Sequence, residues 1–361
     1  MTQGYAVAPP GPPGPPGPGD PADGAERKKT GADLEEERRA AERERRLARR
    51  RRFVERIQGE GLAIVFAVVF IIMWASSPYF LTVSNLLTAA SVVSILGVMA
   101  VLETLLVIGG EIDISVGSVM AVTSVLIGVM VGAGIDVWLS AAIALLFAGV
   151  IGAVNGIITV YFKVNSLVTT LGTYSIFLGM AYALSNTTTV SIGGEGFGSL
   201  GSGTIASVPV PVFIFLGVWI VGAGIARQTA LGRHIYATGD NYDAAVRSGI
   251  QADALRIGLF VGIALSSGLA GIIVTSELGA SAPQIGDPYL LAVVTAVILG
   301  GASLRGGRGR MLGTLVAVAI LGVLQNGFAL LQFSTYLEDT VLGCLLIMAV
   351  LTDRLVRRAE Q

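Results

Sequence analysis

From Gly61 onward the chain alternates between long apolar runs and short polar breaks. Cutting it at charges and at Pro, Gly and Asn clusters leaves about ten runs, at 61–78, 86–108, 114–133, 137–160, 166–186, 209–226, 255–275, 289–304, 311–332 and 337–352. A bilayer core takes about 20 apolar residues of α-helix, so each run has roughly the length of one crossing. Gly recurs inside the runs at three- and four-residue spacing, at Gly149, Gly152 and Gly156, then at Gly258 and Gly262, then at Gly268 and Gly271. Small residues so spaced let helix backbones approach closely. The pattern predicts an all-α polytopic membrane protein with about ten transmembrane helices.

Composition agrees. With 53% hydrophobic and 14% charged residues and a mean hydropathy of +0.74, the chain has too little polar surface for a soluble domain of its length. The net charge of -1 hides a strong asymmetry, because much of the charge lies in the first sixty residues. Beyond them, Lys163, then Arg227 and Arg233, then Arg305, Arg308 and Arg310, then Arg354, Arg357 and Arg358 fall in alternate breaks, and the other breaks hold no Lys or Arg. By the positive-inside rule this places both termini in the cytoplasm and the chain in the plasma membrane. Cys344 lies in an apolar run and reads as a small buried hydrophobe, with no disulfide framework. A lone His234 without a cysteine cluster excludes a metal site of the usual kind, and no cofactor is expected.

Three domains follow. Residues 1–60 form a cytoplasmic tail, 61–353 a transmembrane domain and 354–361 a short C-terminal tail. Met1 to Asp20 is dominated by Pro and Gly, with too few triplets for a collagen helix, and is expected to be a disordered, polyproline-like segment. Leu34 to Arg56 favours helix and becomes strongly basic at Arg49 to Arg52. Each basic residue beside anionic lipid contributes about 1 kcal/mol, so this segment is read as a membrane-lipid tether and not as a nucleic-acid binder.

The longest charged interruption, Thr229 to Asp253, reads TALGRHIYATGDNYDAAVRSGIQAD. Asp240 or Asn241 can cap a helix there, Tyr242 to Ser248 makes two short turns, and Gly249 can take the left-handed conformation that ends them. Arg227, Arg233, Arg247 and Arg256 surround it and place it on the cytoplasmic face.

Val107 to Val122, VIGGEIDISVGSVMAV, is the most polar stretch among the early runs. Gly109 and Gly110 break a helix, and Asp113 or Ser115 can cap the next. An acid at bilayer depth costs about 2.5–3.5 kcal/mol, so Glu111, Asp113 and the deeper Glu103 must face water, a partner or a cavity. With Ser115, Asn155 and Asn326 they are the candidates for a passage or for helix corners, and capping alone accounts for Asp113 and Ser115. The break from Asn186 to Val208 is rich in Ser, Thr and Gly and suits either a solvated connection or a landing surface for a soluble partner. VIGG at Val107 is echoed by ILGG at Ile298, and GAVNG at Gly152 by GVLQNG at Gly322, a faint internal repeat with unequal spacing. The glycine-rich 300–310 stretch is no Walker A, because Gly-Lys occurs nowhere in the chain.

GGEIDISVGS, LGRHIYATGDNYDAAVRSGI and AVVTAVILGGASLRGGRGRMLGT, in this order and spacing, resemble the three most recognisable stretches of ribose-type ABC importer permeases. The resemblance covers about Phe53 to Asp353. It departs at Glu111, where the commoner form reads Gly-Gly-Ile-Asp, and at Glu103, where an apolar residue is usual. It implies a homodimer that carries a sugar or related small polar solute, an ATP-binding ABC subunit in two copies or as one fused double subunit, and an extracytoplasmic solute-binding protein. It also implies that Gly239, Asp240, Asn241, Tyr242, Asp243, Ala244, Ala245, Arg247, Ser248 and Gly249 couple the chain to the ATPase, with the small face at Ala244 and Ala245 entering a cleft. No residue is expected to do covalent chemistry, so the chain reads as a transport subunit and not an enzyme. The alternative is an ion-coupled secondary transporter using Glu103 as its coupling acid. A neighbouring reading frame with a Walker A discriminates the two. An intramembrane enzyme would need a nucleophile and base or a metal set, and no such constellation stands out.

Overall fold

The computed structural model describes residues 61–194 and 196–360. The expected tail over 1–60 and Glu195 lie outside them.

Among the described residues, seven helices are long and apolar enough to cross a membrane. They are α2 (Val83–Ile108), α4 (Val137–Tyr161), α5 (Ser166–Ser185), α7 (Val210–Gln228), α10 (Ala252–Leu278), α12 (Met311–Leu330) and the first part of α13 (Thr335–Glu360). Three more expected runs form shorter apolar helices, α1 (Gly61–Ser76), α3 (Val116–Gly132) and α11 (Asp287–Leu299). The short α6 (Ser199–Ser202), α8 (Ala230–Asp240) and α9 (Tyr242–Arg247) lie in the breaks. The architecture is not purely helical, since β1 (Val190–Ser191) pairs antiparallel with β4 (Ala280–Ser281), and β2 (Thr204–Ile205) with β3 (Val208–Pro209). The last helix runs on to Glu360, through most of the expected C-terminal tail.

The core forms around α2, α10, α11 and α12, while α5, α7 and α13 keep most of their apolar surface outward. Cys344 is one of the outward residues of α13, contrary to its reading as a buried hydrophobe. The closest helix pairing, α4 with α10, explains the glycine pattern. A methyl group at Gly152 would overlap the Phe260 carbonyl, and one at Gly156 would lie 2.9 Å from the Ile257 Cα. Gly268 and Gly271 serve α4 and α3 in the same way, against Ala148 and Met120. At Gly258, by contrast, a methyl group meets nothing.

α3 and α11 are short because neither chain entry is helical. The stretch 109–115 precedes α3 and 279–286 precedes α11, and the first turn of α3 meets the end of the second stretch where the backbones of Gly117 and Gly286 touch. The break 186–208 is also more than a solvated connection: Phe197 and Ile192 are buried, Ser276 Oγ donates to the Phe197 carbonyl at 2.5 Å, and the Phe197 ring packs edge-on against Trp138.

The breaks sort into two sets. One gathers the Ile108 carbonyl, which accepts from Gly307 N at 2.8 Å, Ile112, whose amide meets Ser166 Oγ at 3.4 Å, Tyr236, whose hydroxyl donates to the Gly309 carbonyl at 2.9 Å, and the Glu111–Arg256 pair. All the Lys and Arg residues of 61–354 belong to this basic set or its chain neighbours. The opposite set gathers β1, β4 and α6, and its charged residues among those described are Asp136, Glu277, Asp287, Glu338 and Asp339.

Overpacking a close contact costs about 1–3 kcal/mol. Gly152→Ala should therefore lower the thermal unfolding temperature of the detergent-purified chain, while Gly258→Ala leaves it unchanged. Equal melting of both variants would refute the α4–α10 packing.

Candidate functional site

Two groups of candidate residues meet at the basic end. The first is built on α8 and α9. Thr229 caps α8 by accepting from Gly232 N at 3.1 Å, and Gly232, Ile235 and Thr238 turn one face of α8 inward. Gly239, on the last turn, lies so close to the Ile108 carbonyl that any side chain there would collide with it. The chain then breaks at Asn241, which is extended, and whose side chain accepts from Ala244 N at 2.9 Å to start α9. The cap is thus Asn241, and Asp240 ends the preceding helix. Ser248 closes α9, Gly249 follows at φ 84°, and Ile250 N returns to the Ala245 carbonyl at 3.1 Å. These bonds satisfy the orphan carbonyls of the last turn, the Schellman arrangement.

The faces of α9 differ from the expected ones. Ala245 is buried against the chain and Ala244 is half-buried, whereas Asp243, Val246 and Arg247 point outward. Tyr242 is exposed at its edge, yet its hydroxyl donates to Asp253 Oδ1 at 2.6 Å and its ring lies 5.3 Å from the Arg256 guanidinium. That hydrogen bond holds the Tyr242 hydroxyl above the usual phenol range.

The second group is a buried polar corner. Glu103, Asp113, Ser115 and Asn155 are each at most 1% exposed. After α2 ends, the chain folds back along it until Asp113 N donates to Glu103 Oε1 at 3.1 Å. Ile112 N and Ile114 N donate to Ser166 Oγ and Thr170 Oγ1 of α5, at 3.4 and 3.1 Å. The Asp113 carboxylate accepts from Ser115 N at 2.7 Å, from Ser115 Oγ at 2.6 Å and from Asn155 Nδ2 at 3.4 Å. Asn155 Nδ2 also reaches Ser115 Oγ at 2.9 Å. Ser115 sits at the N-cap position of α3 without capping it; Asp113 turns the chain into the helix instead. Glu111, beside this corner, is paired with Arg256 of α10.

Asn326 stands apart. It exchanges two hydrogen bonds of 2.9 Å with Asn85, near the other end of α2, about 27 Å from Glu103 by helix rise. It clamps α12 to α2. The start and inward face of α8 are legible in Thr229 with Gly232, Ile235 and Thr238 at three-residue intervals. Arg256 marks the cytoplasmic side in the sequence, and the fold adds its contacts with Glu111 and Tyr242.

Residues 85–350 match the family described as branched-chain amino acid transport system / permease component. The ribose import permease protein RbsC of Haemophilus influenzae is 34% identical over 304 residues, 83% of this chain and 93% of that protein. RbsC of Escherichia coli K12 is 36% identical over 281 residues, 77% and 88% respectively. The L-arabinose ABC transporter permease protein AraH of Azospirillum brasilense is 32% identical over 305 residues, 84% and 90%. No solved structure matches the chain.

Stranding a buried donor costs about 1–3 kcal/mol, and Asp113→Ala would strand two, the Ser115 amide and hydroxyl, since Asn155 Nδ2 keeps Ser115 Oγ. It should deplete folded protein from the membrane. Glu103→Gln should not, because its amide oxygen still accepts from Asp113 N. Normal abundance of Asp113→Ala, measured by quantitative blotting, would show that the corner is not held this way.

Proposed function

The chain belongs to the family of branched-chain amino acid transport system permease components, and we propose that it is the membrane-spanning subunit of an ATP-driven sugar importer, coupled to a separate ATPase through residues 239–249. Its relatives are ribose and arabinose permeases, so a pentose or a related small polar solute is the cargo. The observation that carries the reading is the mounting of α9: a six-residue helix, capped at both ends, fixed to the chain by Ala245 and Tyr242 and presenting Val246 outward at 45% exposure. An apolar side chain held outward on a short, fixed helix suits a cleft on a partner.

In this reading ATP-driven closure of the partner moves α8 and α9, and with them α7 and α10, so that access alternates between the two sides. No Gly-Lys dipeptide exists to begin a nucleotide site of the Walker A kind, so the work arrives mechanically. Two copies of the chain enclose the passage, and an extracytoplasmic binding protein delivers cargo to the opposite end. The seven long helices and α1, α3 and α11 together make ten crossings, with the basic end in the cytoplasm.

Val246→Arg should cut sugar uptake by about 10-fold or more, within the range of allosteric coupling, at unchanged membrane abundance and with loss of the co-purifying ATPase. Asn241→Ala should be milder, since a cap contributes about 0.5–2 kcal/mol. Normal transport by an inserted Val246→Arg chain would remove α9 as the receiving element. Sidedness is checked separately in a Cys344→Ser background: an impermeant thiol reagent should label Ser202→Cys and Ser334→Cys in intact cells, and Gln228→Cys and Leu304→Cys only after permeabilisation. Labelling of Leu304→Cys from outside would break the ten-crossing arrangement.

A further inference from the structure

Arg256 joins the two groups of residues. It lies in the second turn of α10, its guanidinium pairs with the Glu111 carboxylate, and the Tyr242 ring lies 5.3 Å from it. The Glu111 side chain is 5% exposed and that of Arg256 22%. A charge pair so enclosed is bound to its geometry, because separating the partners strands a charge away from water. The link therefore behaves as a stiff connection, unlike an exposed pair that water can replace.

Each side of the link is anchored. Tyr242 is the first residue of α9 and is tied to α10 twice, through Arg256 and through Asp253. Glu111 belongs to the non-helical stretch whose next three amides are held by Ser166, Glu103 and Thr170. A displacement of α9 thus has a short route through Tyr242, Arg256 and Glu111 to the stretch that opens α3 and touches α2 and α5. The covalent route runs instead through the full lengths of α7 and α10. Glu111 is also the residue that departs from the commoner form of its motif, and the pairing gives that departure a use.

We propose that Glu111 and Arg256 are positioning residues that transmit the stroke of the coupling helix to the 109–115 stretch, and so set how much cargo moves per ATP hydrolysed. This rests on the importer reading. The test uses the full chain with its co-purified ATPase and binding protein in lipid vesicles, with labelled ribose and arabinose as probes. Glu111→Gln and Arg256→Gln should raise the ATP consumed per sugar by at least about 5-fold, the low end of allosteric coupling, while ATPase association is unchanged. The exchanged pair Glu111→Arg with Arg256→Glu should return the ratio to within about 2-fold of the parent, since opposite charges again meet. A merely structural pair would change abundance and leave the ratio alone.

Tyr242→Leu, on an exposed helix, keeps the test open if neutralising the pair prevents folding, and it should raise the ratio in the same direction. A parent complex that hydrolyses no ATP would sink the importer reading and the link together. A parent that transports, with variants that keep its ratio or with an exchanged pair no better than the single changes, would overturn the link alone.

Discussion

In an apolar layer every backbone N–H and C=O must find a partner within the protein, and the stretch from Gly109 to Ser115 is where that requirement shapes the fold most. A helix would satisfy its amides from within. This stretch instead borrows Ser166 and Thr170 from α5 and Glu103 from α2, so two helices are needed before one short extended segment can exist there. The polar side chains at the corner follow from that choice of backbone. Asp113 completes it by gathering the Ser115 amide and hydroxyl at the start of α3.

The same constraint governs how helices stop at the basic end. α2, α9 and α11 all close with a glycine at positive φ, Gly110, Gly249 and Gly301, and in each the following amide returns to a carbonyl five residues back. The bonds are Glu111 N to Leu106, Ile250 N to Ala245 and Ala302 N to Val297. A side chain in that conformation would be strained. The echo between VIGG and ILGG is therefore one cap used twice, at the ends of α2 and α11. Unequal spacing in the sequence hid it, because the helices that follow differ in length and packing.

Much of the fold was legible because its signals are local. Apolar length located the seven described helices long enough to cross a membrane and the three shorter apolar ones, the Gly152 and Gly156 spacing located a close packing, and Asn241 with Gly249 bounded α9. What stayed hidden depends on residues distant in sequence. Val190 pairs with Ser281, and Gly117 meets Gly286; no periodicity records either. Ala244 and Ala245 looked like a docking face because small residues suit one, yet the same smallness lets Ala245 sit against the chain. Glu103, Asp113, Ser115 and Asn155 were each conspicuous as polar residues in apolar surroundings. That they form one corner, and that Asn326 belongs elsewhere, required the fold.

The two routes from α9 into the layer differ in what they can transmit. Along α7 and α10 a displacement of α9 would have to be carried by whole helices, and α10 is locked against α4 by backbone contact at Gly152 and Gly156. Interiors packed that tightly resist small displacements. The 109–115 stretch is held instead by a few hydrogen bonds to side chains, and such bonds can be exchanged one at a time. If the coupling helix is to change the layer without dismantling its core, the softer element must be the one that moves, and Glu111 is the point at which it is gripped.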